Sequence, residues 1–205
     1  NTWQGNFEAA NTVFEGMIEQ YGLNNDLVLT MHPIKLWLNE LDDWNNRLSE
    51  LLAPEKGNTA GVSVHIAHAM SAYFMGQCDP VMLTFEKVIK YRNALVRELE
   101  PLINANNYLA MLAHCYQQQG LEEERARTVA LSEEVLNKIP DESRDLGGFL
   151  YSRAQTAAVK GDTEEAMRLL EQLYASDWQV KWLIKEDPIL RSLGPKSDVT
   201  NIVNK

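Results

Sequence analysis

The sequence predicts an all-α fold, and three observations predict it. Apolar residues recur with a 3.6-residue period in nearly every segment. No stretch alternates strictly between apolar and polar residues within hairpin signals such as Asn-Gly. Helix, glycine turn and helix recur along the chain with related spacing. The periodicity places helices at 6–21, 26–40, 43–53, 60–75, 80–99, 104–119, 121–138, 145–160, 162–176, 179–185, 188–193 and 197–203.

Taken in order, the first helix follows Gly5 and carries Ala10, Phe14 and Met17 at offsets +5, +9 and +12 from it. Between His32 and Pro54 there is no turn glycine, so the second and third helices are expected to be irregular. The fourth closes at Gly76, a residue free to take positive φ and so to satisfy the last helical carbonyls. Asp79-Pro80 then sets a capping carboxylate before a proline at the first helical position, where the missing N–H costs nothing. Gly120 and Gly161 are predicted to close later helices in the same way, and Asp187-Pro188 to open one. Asp162 with Glu165 has capping-box spacing.

The segments leading to these glycines share a pattern. Ala69, Ala72 and Gly76 are spaced like Ala154, Ala157 and Gly161, and Ala113, Tyr116 and Gly120 repeat the spacing with an aromatic. Beyond the glycine, Val81, Phe85 and Val88 match Ala166, Leu170 and Leu173. After Gly120 the fit is poorer, because Arg125 stands where a small residue is wanted.

These residues resemble the tetratricopeptide repeat, a helix–turn–helix unit with small residues where its helices cross and an apolar stripe offered to the next unit. Leu150 to Trp178 is the best match, and Asn106 to Pro140 follows. The resemblance implies a right-handed α-solenoid of antiparallel helix pairs in one domain over 1–205. Its parts would be a truncated first repeat at 1–22, an irregular pair at 23–60, repeats at 61–100, 101–140 and 145–178, and a cap at 179–205. The tail, with Trp178, Trp182, Leu190 and Leu193, is similar to the ends of repeat arrays in bacterial membrane-tethered transcription activators and nucleotide cyclases. The array begins in mid-repeat, so the chain is expected to be the C-terminal part of a longer protein.

Composition narrows the function. With 19 basic against 29 acidic side chains the formal charge is −10, which repels a phosphate backbone or an anionic bilayer. Nucleic-acid binding and membrane insertion are not expected. No phosphate loop, nucleophile elbow, metalloprotease helix or calcium loop occurs, and the carboxylates of Glu40, Asp42, Asp43 and of Glu122, Glu123, Glu124 fall at turns and helix starts, where they oppose the helix dipole. The chain therefore reads as a binding module without cofactor or metal, and not as an enzyme. Cys78 and Cys115 read first as small buried apolar residues and second as one disulfide.

In the repeat register the inner face of the first helices presents Ser63, Ile66, Met70 and Tyr73, then Asn107, His114 and Gln117, then Tyr151 and Gln155. That concave face is the candidate site for a peptide or protein partner, within a bacterial signalling or regulatory protein. The alternative is a small-molecule or metal-dependent site near His65, His68 and His114. Self-association through the amino-terminal face is a further expectation. Cytoplasm and periplasm both stay open.

Overall fold

The computed structural model describes residues 6–23, 25–53, 61–92, 99–143, 146–178 and 180–194, through the backbone alone at 25–26, 90–92 and 99–106. Every regular element among them is helical, as the sequence predicts. The elements are α1 (Phe7–Tyr21), α2 (Asn25–Trp37), α3 (Leu41–Leu52), α4 (Val62–Phe74), α5 (Cys78–Arg92), α6 (Leu99–Gln118), α7 (Glu122–Asn137), α8 (Gly147–Lys160), α9 (Thr163–Ala175), α10 (Leu183–Glu186) and α11 (Pro188–Arg191). A 3₁₀ turn, Asp141–Ser143, precedes α8. The helix expected at 197–203 and the first turn glycine, Gly5, lie outside the described residues. No described helix is long and apolar enough to cross a membrane.

Four of the described turns follow one local rule. After α4, Gly76 takes φ 77°, its N–H reaches the Tyr73 carbonyl at 3.0 Å, and the Gln77 N–H reaches Ala72 at 2.8 Å. The same pair of bonds ends α6 at Gly120 and α8 at Gly161, so these helices close in Schellman turns that need a left-handed residue. Between α2 and α3, Asn39 at φ 58° does the glycine's work: its own N–H reaches Leu36, and that of Glu40 reaches Lys35. The turn there is regular after all, because asparagine tolerates the left-handed region better than other side chains do. Asp187 and Asp162 cap α11 and α9 through the N–H groups of Ile189 and Glu165. Asp79 is corrected: α5 starts at Cys78, leaving Asp79 in its first turn.

The chain divides into two compact units, Asn1–Thr84 and Phe85–Lys205. In the first, α1 packs on α2, and α2 and α3 both pack on α4. Met31, Ile34, Trp44, Leu48 and Ile66 fill its core, while Ala69 and Ala72 are fully buried on α4. An ion cluster around the buried Lys35 joins three helices: Lys35 meets Glu15 at 2.8 Å and Glu40 at 2.9 Å, and Arg47 holds the other oxygen of Glu15.

In the second unit α6 packs on α7 and α8, α8 packs on α7 and α9, and α11 returns to α8. Ala113, Ala154 and Ala166 are buried as their small-residue spacing requires. Tyr116, which stands in an alanine's place, turns its hydroxyl to Glu86 at 2.6 Å. Arg125 also departs from the pattern, and its guanidinium donates to the Val159 carbonyl at 2.8 Å, meeting one of the last carbonyls of α8.

Candidate functional site

The nine residues assigned to the inner face do not form one open surface in either unit. Ile66 and Tyr73 on α4, His114 on α6, and Tyr151 and Gln155 on α8 are buried. Ser63, Met70 and Asn107 are partly covered, and only Gln117 is exposed. Asn107 accepts a hydrogen bond from Ser152 at 2.5 Å, which ties α6 to α8. His114 faces the Gln118 amide at 3.3 Å, and burial pushes its pKa down.

Tyr151 and Gln155 are turned toward the C-terminal tail. Asp187, fully buried, accepts from the Tyr151 hydroxyl and from the Gln155 amide at 2.7 Å on one oxygen, and from the Ile189 N–H at 2.8 Å on the other. Trp178 stacks obliquely on the Tyr151 ring at 5.2 Å between centroids. Gly147, at the start of α8, lies so close beneath Trp178 that a Cβ there would fall inside the indole. This side of α8 is therefore closed by the chain itself.

The opposite side of the same helix is open. Phe149, Arg153, Thr156 and Lys160 recur at intervals of four, three and four, which places them on one face of α8. They line a cleft of about 580 Å³ with Glu133, Leu136 and Asn137 from α7 and Glu165 and Leu169 from α9. Leu136 and Phe149 lie beneath it, packed with Ile139 in a buried cluster, so the surface that the cleft exposes is mostly polar. Its rim is charged and paired: Lys160 meets Glu133 at 2.6 Å, and Arg153 meets Glu165 at 3.0 Å. The bond to Glu133 holds Lys160 above the usual lysine range, and the Arg168 guanidinium, with help from Arg153, holds Glu165 below the usual carboxylate range.

Comparison with family models, curated proteins and solved structures finds no match to this chain. The chemistry of the cleft has to be read from its own residues. Both shifted groups move away from neutrality, so neither is poised to exchange a proton near pH 7, the first requirement of a general acid or base. What the cleft offers is a mostly polar surface between ion pairs that a ligand's charges could exchange with.

His65 and His68 lie in the first unit and His114 in the second. His68 bonds the Ser49 hydroxyl at 3.0 Å, and burial followed by the nearby His65 lowers its pKa. Among the described residues no group of three or more His, Cys, Asp or Glu is placed to hold a metal ion. Cys78 and Cys115 are buried, and neither is a free thiol. The cleft had one signal in the sequence: Arg153 and Lys160 lie seven residues apart on a helix otherwise nearly uncharged. The inner-face register draws attention to the other side of that helix.

Proposed function

We propose that the chain is a tetratricopeptide-like binding module of a larger bacterial signalling or regulatory protein, and that it engages a peptide or protein partner without transforming it. The order of packing in the second unit supports the repeat reading: α6 with α7, and α8 with α9, would be two antiparallel pairs of a right-handed solenoid, stacked through α6, α7 and α8. The tail from Trp178 to Leu193 would be its cap. A stacked pair leaves a groove between successive second helices, and the observation that carries the functional reading is that this groove, over Phe149, Arg153, Thr156 and Lys160, is open. Tyr151 and Gln155, by contrast, are engaged by Asp187. The partner segment would place an acid beside Arg153 or Lys160 and a basic or polar group beside Glu133 or Glu165.

Panning a displayed peptide library against the whole chain tests this. Selected peptides should carry an acidic residue and lose roughly tenfold or more in affinity when Arg153→Glu and Lys160→Glu are combined, a change of about 1.4 kcal/mol. Binders indifferent to both substitutions would contradict it.

A further inference from the structure

The two ends of the cleft in the second unit are not equivalent. Arg153 donates one hydrogen bond to Glu165, at 3.0 Å, and its guanidinium carbon lies 5.9 Å from the centre of the Phe149 ring. The ring face steadies the planar fork, and among the described residues most of its N–H donors are not taken. Arg168, one turn along α9, grips both oxygens of Glu165, at 2.7 and 2.8 Å. Arg168 is also the main cause of the lowered Glu165 pKa, and Arg153 is the smallest contributor. Glu165 therefore keeps a full ion pair when Arg153 turns to another acid. A carboxylate arriving in the cleft meets a fork suited to two parallel hydrogen bonds.

The Lys160 end has the opposite balance. Lys160 is the last residue of α8, beside final carbonyls that carry partial negative charge. It is held by Glu133 at 2.6 Å, and Asp162 adds to the negative field around it. Arg125, which reaches the Val159 carbonyl nearby, is itself paired with Glu122. Glu133 has no second cation among the described residues, so an acid that took Lys160 would strand it. A base, by contrast, finds Glu133 and Asp162 there against the single charge of Lys160. At the other end two cations, Arg153 and Arg168, stand against Glu165. Arg153 and Lys160 are seven residues apart on α8, about 10 Å along its axis. An extended peptide covers that distance in about three residues.

We infer, on the reading that the cleft is the binding site, that it takes an extended segment with an acid and a base about three residues apart, the acid forked by Arg153 and the base set against Glu133. Arg168 is a positioning residue, holding Glu165 so that Arg153 can let go of it.

Nuclear magnetic resonance of the whole isotope-labelled chain tests this with two capped tetrapeptides, acetyl-Glu-Ala-Ala-Lys-amide and the same peptide with Gln for Glu. The Arg153 Nε–H signal, identified by its loss in Arg153→Lys, should shift with the first and not with the second, and the backbone amides of α8 report the affinity. Arg153→Lys should weaken the first peptide roughly tenfold or more, since an ammonium offers no fork. Lys160→Gln should tighten it roughly threefold by releasing Glu133. Arg168→Gln should weaken it, because Glu165 then keeps Arg153, and adding Glu165→Gln should restore binding, which a merely structural loss would not do. Three results would overturn the inference: an Arg153 signal moved by both peptides or by neither, a larger loss from Lys160→Gln than from Arg153→Lys, or no recovery when Glu165→Gln is added to Arg168→Gln. Library peptides that depend on the cleft but not on Arg153 would overturn it as well, while leaving the binding module itself standing.

Discussion

At Asp187 a carboxylate with no exposed surface takes hydrogen bonds from Tyr151, Gln155 and the backbone of Ile189. Removing it by Asp187→Ala strands these donors in a buried site and should cost about 3 kcal/mol in urea unfolding. Asp187→Asn should cost less, about 1 kcal/mol, because the Gln155 carbonyl oxygen is buried with no hydrogen-bond partner, and a flip of that amide would offer it to the new Asn N–H₂. His32 makes a second prediction at this scale. It is buried on α2, its Nδ1 lies 3.2 Å from the Ser71 hydroxyl, and burial lowers its pKa from 6.5 to about 4. The folded state thus binds the proton less readily than the unfolded chain. Its contribution is complete above pH 6.5 and is lost as the pH falls toward 4, by about 3 kcal/mol. Burial shifts Asp187 in the opposite sense for stability: a raised carboxyl favours the fold at low pH, despite the Tyr151 and Gln155 bonds that oppose the shift. The His32 part is isolated by comparing urea unfolding of wild type and His32→Gln at pH 7 and pH 4. The substituted chain should lose less stability between the two, and equal losses would refute the assignment.

Among the elements, the helices were legible because their ends are written locally. Gly76, Gly120 and Gly161 all take positive φ and close their helices with the same pair of backbone bonds. Asn39 closes α2 in the same way, but asparagine also serves at caps and in turns, so its identity alone does not announce a left-handed residue. Asn39→Ala should therefore cost about 1 kcal/mol, whereas Asn39→Gly should stay within about 0.5 kcal/mol of wild type. Thermal unfolding followed by circular dichroism reads both, and an Asn39→Ala chain as stable as wild type would count against the left-handed turn. The start of α8 is constrained from elsewhere in the chain. Gly147→Ala puts a methyl group into Trp178, so it should cost about 2 kcal/mol and shift tryptophan emission to the red as the indole is displaced.

For the molecule as a whole, helical class and turn positions could be read from the sequence, while the candidate site could be read only in part. The repeat register put Tyr151 and Gln155 on α8 correctly but could not say that Asp187, more than thirty residues later, takes both. Nor does periodicity show which of the two polar faces of α8 the tail would cover, since that depends on contacts distant in sequence. Arg153 and Lys160 read as ordinary solvated charges until α7 and α9 supply Glu133 and Glu165. Helix α8 thus has one side closed by the tail and one side open. Hydrogen exchange of the whole chain, with and without a peptide selected on it, tests this most directly. The peptide should slow exchange in α7, α8 and α9 around Glu133, Arg153 and Glu165 and leave α4 unchanged. Protection centred on Met70 of α4 and Gln117 of α6, with α9 unaffected, would contradict it.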